Sequence, residues 1–268
     1  MINITFSTCW YNFKAKFNLD TYYSWIDNML TNVNNYYLVI YTDDMGFKYL
    51  QKYASNNIVI VNKPYTEFYN YKYKDYWISN HAKNKLLNSM VDWRVNMLWS
   101  EKVHFVHETM KHKYFETEFY GWCDIGYFRN RSIDIPKHRL KYWPNNEKIS
   151  KLNKNKVYYG LINNNSNYIN SLYMLIQNKN SLGLPSQEIP SNQLSIAGGF
   201  FMCHKDKVEW WKETYNKKLY LYFENNCLVK DDQIIVIDCI FSSLENFVLQ
   251  REDSTYYDNW FLFQRYLL

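Results

Sequence analysis

Glycine and proline are scarce in this chain of 268 residues, at 7 and 5 copies. No stretch is rich in Pro, Gly or Ser, so no flexible linker divides the chain. The glycine-rich phosphate loops are also missing. There is no Walker-type motif, and no GxGxxG follows the first predicted strand. That argues against a P-loop kinase and a standard nicotinamide dehydrogenase. No GxSxG elbow occurs, which argues against an α/β-hydrolase. The five cysteines are odd in number and show no CxxC spacing, so they read as buried free thiols in a reducing compartment rather than a disulfide framework. No apolar run approaches the about 18 residues a membrane span needs. The N-terminus lacks a basic region followed by an apolar core, so no signal peptide is read. The expectation is a cytoplasmic protein, in the host cytoplasm if the chain is viral, with a homodimer left open.

What is abundant is aromatic: 27 Tyr, 16 Phe and 10 Trp. AT-rich codon usage explains much of this. The remainder suits a carbohydrate site, where ring faces stack on sugars. The net charge of +5 fits an anionic partner such as a nucleotide diphosphate. No Lys/Arg stripe of the kind nucleic acid requires is present, so no nucleic-acid partner is expected.

Hydrophobic periodicity gives the layout. Ile2–Thr8 reads as a strand, and Asp20 caps a helix running to about Val33. Tyr36–Tyr41 is a nearly continuous apolar strand, buried on both faces. Asp43-Asp44 follows, then a short helix through Phe47, Leu50 and Tyr53, and a strand at Asn57–Val61. Pro64–Trp77 reads as a loop and Asn80–Lys113 as two helices broken near Ser100. Phe119–Phe128 is a strand leading into a turn, and Lys137–Lys156 a solvated loop. Strands follow at Val157–Ile162 and Ile196–Cys203, and helices at Lys207–Glu224 and from Asp231-Asp232 through Phe241. The aromatic tail from Tyr256 to Leu268 packs back on the body. Alternating strands and helices predict an α/β fold with a mostly parallel central sheet flanked by helices.

Three short segments can carry chemistry. In Trp122-Cys123-Asp124-Ile125-Gly126-Tyr127-Phe128-Arg129, an apolar strand ends on a carboxylate, then Gly, then Arg. Open parallel sheets bind ligands at the carboxyl ends of their strands. Asp124 there can hold a divalent cation or a ribose hydroxyl, Gly126 allows close backbone approach, and Arg129 can pair with phosphate. A strand-end turn with a surface Asp–Arg pair is the plainer reading. Gly198-Gly199 opens a later strand, and adjacent glycines in a glycine-poor chain signal close approach or a bulge. Asp231-Asp232-Gln233 opens a helix, where capping alone also favours carboxylates. Thr8 and Asp43, at predicted strand ends, are further candidates for donor contact, and His204 follows the Gly-Gly strand. His104 and His107 share a helix face, but no HExxH pattern or nearby Cys accompanies them.

Together these segments resemble GT-A glycosyltransferases. More narrowly, Lys102, Phe105-Val106, Trp122, Asp124, Gly126 and Arg129 resemble the HtrL/YibB-like family, with Gly198-Gly199-Phe200-Phe201 and Asp232-Gln233 also matching. The resemblance implies one GT-A-like (Rossmann-like) domain over residues 1–268, with a nucleotide-binding half at about 1–130 and an acceptor-side half at about 131–268. It implies a nucleotide-sugar donor, with UDP-sugar favoured, and a glycan or other hydroxyl acceptor. Asp124, Lys102, Arg129, Gly126, Gly198, Gly199, Thr8, Asp43 and His204 fall on the donor side, and Asp232 or Asp231 is the catalytic carboxylate. It also implies Mn²⁺ or Mg²⁺ on Asp124. Where the usual DxD motif has its second acid, this chain has Gly126, so a metal-independent site neutralised by Lys102 and Arg129 is the competing form. A catalytically inactive nucleotide-sugar or carbohydrate-binding protein is the alternative function, and an aromatic protein-binding scaffold a third.

Overall fold

The computed structural model describes residues 2–268. In chain order the elements are β1 (Ile4–Trp10), α1 (Leu19–Leu30), β2 (Tyr37–Thr42), α2 (Asp44–Leu50), β3 (Ile58–Asn62), α3 (Lys74–Lys83) and α4 (Trp93–Lys111). There follow β4 (Phe119–Cys123), α5 (Lys137–Leu140), α6 (Asn146–Ser150), β5 (Val157–Leu161) and α7 (Ser166–Gln177). The chain ends with β6 (Ile196–His204), α8 (Lys205–Glu224), α9 (Asp232–Ser242), β7 (Phe247–Gln250) and α10 (Leu262–Tyr266).

The strands form one seven-stranded sheet in the order β3-β2-β1-β4-β6-β5-β7. The pairs β1–β2, β1–β4, β2–β3 and β5–β7 are parallel, while β6 runs against both neighbours, β4 and β5. The fold is therefore α/β with a mostly parallel sheet, as the alternating pattern predicts.

Strand periodicity feeds two cores. Val39, Tyr41, Tyr120, Trp122, Phe201 and Tyr159 face one side, against α4, α7, α8 and α9. Ile4, Phe6, Leu38, Ile40, Phe200 and Met202 face the other, against α1, α6 and the C-terminal tail. Burial on both faces is why β2 reads as an unbroken apolar run. The tail is fixed by the Trp143 indole donating to the Phe263 carbonyl (3.0 Å) and by Gln264 donating to the Tyr127 carbonyl (2.7 Å).

Several boundaries differ from the sequence reading. α1 is capped by Asn18, whose side chain accepts from Thr21 N, while Asp20 lies in the first turn. The segment read as a loop to Trp77 already turns helical at Lys74, and Trp77 is fully buried. α4 runs unbroken through Ser100, which is buried and takes a hydrogen bond from Tyr215 (2.8 Å). The interruption lies earlier, before Asp92, whose side chain caps α4 by accepting from Arg94 N. The segment Lys137–Lys156 is not a solvated loop. It contains α5 and α6 and buries Leu140, Trp143 and Ile149 under the sheet. α7 and β7 lie in stretches where the hydrophobic pattern predicts no element. Four of the five thiols are buried and all are free, with Cys227 partly exposed.

One glycine locks the centre of the sheet. A Cβ on Gly121 of β4 would lie 2.4 Å from the Phe201 carbonyl of β6, a backbone atom that cannot swing away. Gly121→Ala is expected to destabilise the protein by about 2 kcal/mol through overpacking. Differential scanning fluorimetry checks this as a fall of roughly 5 °C in thermal midpoint.

Candidate active site

β1, β2 and β4 all end at the same edge of the sheet, and because β6 runs the other way it begins there. The register Cys123↔Phe200 brings Asp124 beside Gly199, and the Asp124 amide donates to the Gly199 carbonyl (2.9 Å). α4 lies along this face and carries Lys102 to the same place. Its ammonium donates to the Gly198 carbonyl (2.8 Å) and pairs with Asp232 Oδ2 (3.1 Å) and Asp124 Oδ1 (3.5 Å). The Trp122 indole also donates to Asp124 Oδ1, at 2.5 Å. Four chain segments thus meet at one ammonium.

Burial separates the two carboxylates. The side chain of Asp232 is 9 % exposed and that of Lys102 7 %, whereas that of Asp124 is 43 % exposed. Burial pushes the Asp232 carboxyl up, Lys102 opposes it, Asp231 and Asp124 add to it, and the result is about 6. Burial alone would lower Lys102, but Asp124 and Asp232 together outweigh it and hold the ammonium above its ordinary value. Asp124 is therefore the solvent-facing carboxylate, and Asp232 is the buried one, tuned towards neutrality.

The glycines are explained by the protein's own side chains. A Cβ on Gly199 would sit 3.1 Å from Asp124 Oδ2, and one on Gly198 3.0 Å from Gln233 Nε2 and 3.3 Å from Asp232 Oδ1. Gly126 leaves room for Trp25, whose ring would lie 2.6 Å from an added Cβ. Arg129 stacks its guanidinium over Trp25 (4.2 Å), Phe261 (4.8 Å) and Phe17 (5.3 Å) and donates from Nε to the Gly126 carbonyl (3.1 Å). It makes no ion pair among the described residues, so the plain Asp–Arg surface pair is not formed.

Asp231 sits beside this cluster. Its Oδ2 pairs with Lys230 (2.9 Å), while its Oδ1 is buried without a partner among the described residues. Three asparagines that sequence reading missed hold this segment. Asn80 exchanges two hydrogen bonds with the Val229 backbone (2.7 and 2.8 Å), and Asn84 and Asn96 each donate to the Lys230 carbonyl (2.9 Å). In a chain this rich in Asn, no local signal marks them. Cys9 was missed as well. It is a buried thiol on which the charges of Asp124 and Lys102 act, and burial raises its pKa.

Other candidates are not brought together. His204 pairs in register with Phe119, at the far end of β4 from Asp124, roughly 16 Å away by strand rise. There it bonds Glu118 (3.2 Å) and cannot approach a ligand at Asp124. Strand alternation turns Thr8 to the face of Phe6 and Trp10, away from α4. Asp43 caps α2 by accepting from Gly46 N (2.9 Å) and stands two strands from Asp124, about 10 Å by strand spacing. Lys102 is not free to face phosphate, because an ammonium has three N–H donors and this one has three acceptors within the protein. His104 bonds Asn216 (2.7 Å) and His107 bonds Glu209, so the two rings serve separate partners.

No family model matches the sequence, and no curated protein matches it. Among solved structures, the chain is similar to mouse xyloside xylosyltransferase 1 in its apo form, with 8 % identity and a TM-score of 0.49 over 93 % of this chain and 85 % of that one. At that score the likeness carries no inference about chemistry. No helix among the described residues is long and apolar enough to cross a membrane.

The raised Asp232 has a consequence for stability. Its folded value of about 6 lies above the ordinary value of 3.8, so folding favours the protonated acid. That contribution is complete below about pH 4 and is lost as pH rises through 6. Asp232→Asn does not titrate. In metal-free buffer the stability of the variant relative to wild type is expected to improve by about 2–3 kcal/mol between pH 4 and pH 7. Urea unfolding at a series of pH values measures this, and a flat difference refutes it.

Proposed function

We propose that this protein is a glycosyltransferase that moves a sugar from a nucleoside-diphosphate sugar, UDP-sugar favoured, to a glycan or other hydroxyl acceptor. One observation carries the reading: Asp124, Gly198-Gly199 and Asp232, far apart in sequence, converge on Lys102 at the carboxyl ends of the parallel strands β1, β2 and β4, where such folds bind ligands. The motif resemblance to the HtrL/YibB-like family points the same way.

The reaction breaks the bond from the anomeric carbon to the diphosphate oxygen, whose electron pair leaves with the nucleoside diphosphate. A bond from the acceptor oxygen to the anomeric carbon forms, and the hydroxyl proton passes to a carboxylate. Asp232 suits that last role, because a base near 6 is ionised at neutral pH and still accepts a proton. Asp124, the exposed carboxylate, faces the donor. Lys102 opposes the rise of Asp232 and holds both carboxylates at fixed separation.

The site also fits a divalent cation. Asp124 Oδ2 is an exposed carboxylate oxygen that Lys102 does not take, while Asp232 Oδ1 is left for the acceptor proton. A hard oxygen of this kind suits Mn²⁺ or Mg²⁺, which complete their shells with water and phosphate oxygens. No group of three or more His, Cys, Asp or Glu side chains is placed to hold a metal among the described residues, so such an ion depends on the donor for its remaining ligands. When bound, it supplies positive charge to the leaving diphosphate.

Thermal shift against UDP-, GDP- and CMP-sugars, with and without Mn²⁺, tests donor binding, and release of free nucleotide in a coupled assay tests turnover. Asp124→Ala is expected to abolish both. Asp232→Asn is expected to lower kcat by about 10²-fold or more while donor affinity stays within a few-fold, and the wild-type rate is expected to fall below an acidic limb near pH 6. Retention of donor binding and turnover by Asp124→Ala removes the assignment.

A further inference from the structure

We propose that Lys16 and Arg129 clamp the diphosphate of the donor from two sides, with the segment between β1 and α1 as the donor-recognition arm. This rests on the glycosyltransferase reading and extends it to a residue that no motif marks.

The argument starts from which cations have donors to spare. An incoming diphosphate brings negative charge to a place already holding Asp124, Asp231 and Asp232. Lys102 has an acceptor for each of its three N–H groups. Lys230 is paired with Asp231, and Arg131 with Asp134 and Asp258. Lys16 and Arg129 remain, and neither makes an ion pair among the described residues.

Arg129 is presented rather than loose. Three rings hold its guanidinium plane, and only Nε is engaged within the protein, so both terminal nitrogens keep their donors. A fork of that kind matches phosphate oxygens. Its neighbourhood includes the charge of Asp124.

Lys16 approaches from the other side. Its ammonium lies 5.2 Å from the ring of Trp99, one helical turn before Lys102 on α4. Partial desolvation lowers its pKa although the side chain is exposed, and the charges of Asp231, Lys230, Asp232 and Lys102 also act on it. The next residue, Phe17, packs 4.9 Å from Trp25 and covers Arg129. Two consecutive residues therefore reach opposite sides of the Asp124–Asp232 cluster. The segment is anchored behind them, since the Lys14 carbonyl accepts from Asp92 N (3.0 Å) and the Lys14 ammonium donates to the Ser89 carbonyl (2.8 Å).

Isothermal titration of the full chain with UDP, GDP, CDP, uridine and inorganic pyrophosphate, with and without Mn²⁺, tests the clamp. Lys16→Met is expected to weaken nucleoside diphosphate and pyrophosphate by about tenfold or more, the worth of one charge-assisted contact, while uridine binding is unchanged. Its diphosphate affinity should also depend less steeply on salt than wild type. Arg129→Met should show the same selectivity. Because that change also disturbs an aromatic stack, the solvent-facing Lys16→Met decides. If Lys16→Met binds diphosphates within twofold of wild type while Asp124→Ala loses them, the clamp is wrong and the transferase reading stands. If the wild-type chain binds no nucleoside diphosphate and no pyrophosphate, both fall together.

Discussion

The Lys102 ammonium is the constraint around which the site is built. A buried charge without partners costs several kcal/mol, so a chain that folds with Lys102 inside must bring acceptors to it. It recruits the end of β4 through Asp124, the start of β6 through the Gly198 carbonyl and the start of α9 through Asp232. The β4–β6 register and the Asp124 amide bond to Gly199 already set two of those segments side by side, and the shared ammonium ties the start of α9 to both. Removing it would leave two like charges facing each other beside a buried carbonyl, and the gap would open or take up protons. The geometry read as catalytic is thus also the geometry that satisfies one buried cation.

The reversal of β6 is the second requirement. In an all-parallel sheet every strand would present its carboxyl end at the site edge, and the residues after β6 would stand next to Asp124. Because β6 is antiparallel, its first residues take that position and its last residue, His204, is carried to the far edge. The site edge thereby receives a pair of glycines, which allow the Asp124 and Gln233 side chains to close on the strand within van der Waals contact. The asparagines at 80, 84 and 96 then hold the chain just before α9, so that Asp232 enters the helix at the right depth.

The parts legible in the sequence were those with a period or an isolated irregularity. β2 is apolar throughout because both faces are covered. Asp124 stands out because a carboxylate ends an apolar strand, and Gly198-Gly199 because glycines are rare in this chain. What stayed hidden depends on long-range placement. His204 follows the Gly-Gly strand in sequence, but strand direction cannot be read from composition, so its removal to the opposite edge was invisible. Thr8 and Cys9 are adjacent, and only the register decides which one faces α4. Lys137–Lys156 has many polar and charged positions, and it was read as solvated because its buried residues, Leu140, Trp143 and Ile149, follow no single period. Gly126 reads in the sequence as a place for a ligand to approach the backbone, but the group lying against it is the Trp25 ring.

The charge balance of the site ties these pieces to its chemistry. Asp124, Asp231 and Asp232 face the internally paired Lys102 and Lys230, so the cluster without ligand is close to neutral before Lys16 and Arg129 are counted. A diphosphate tips it negative. Like charge raises a carboxyl, and Asp232 already stands near 6 because burial and its acidic neighbours outweigh Lys102. On the transferase reading, Asp232 would remain ionised at neutral pH in a donor complex only if the added charge were met elsewhere, by a divalent cation at Asp124 or by the two unpaired basic side chains. Those two means compete for the same phosphate charge. On that proposed reading, the nearer Lys16 and Arg129 came to neutralising the diphosphate, the less a base at Asp232 would depend on metal, so the cations spared by the internal pairing of Lys102 would set how far such a reaction needs an ion at all.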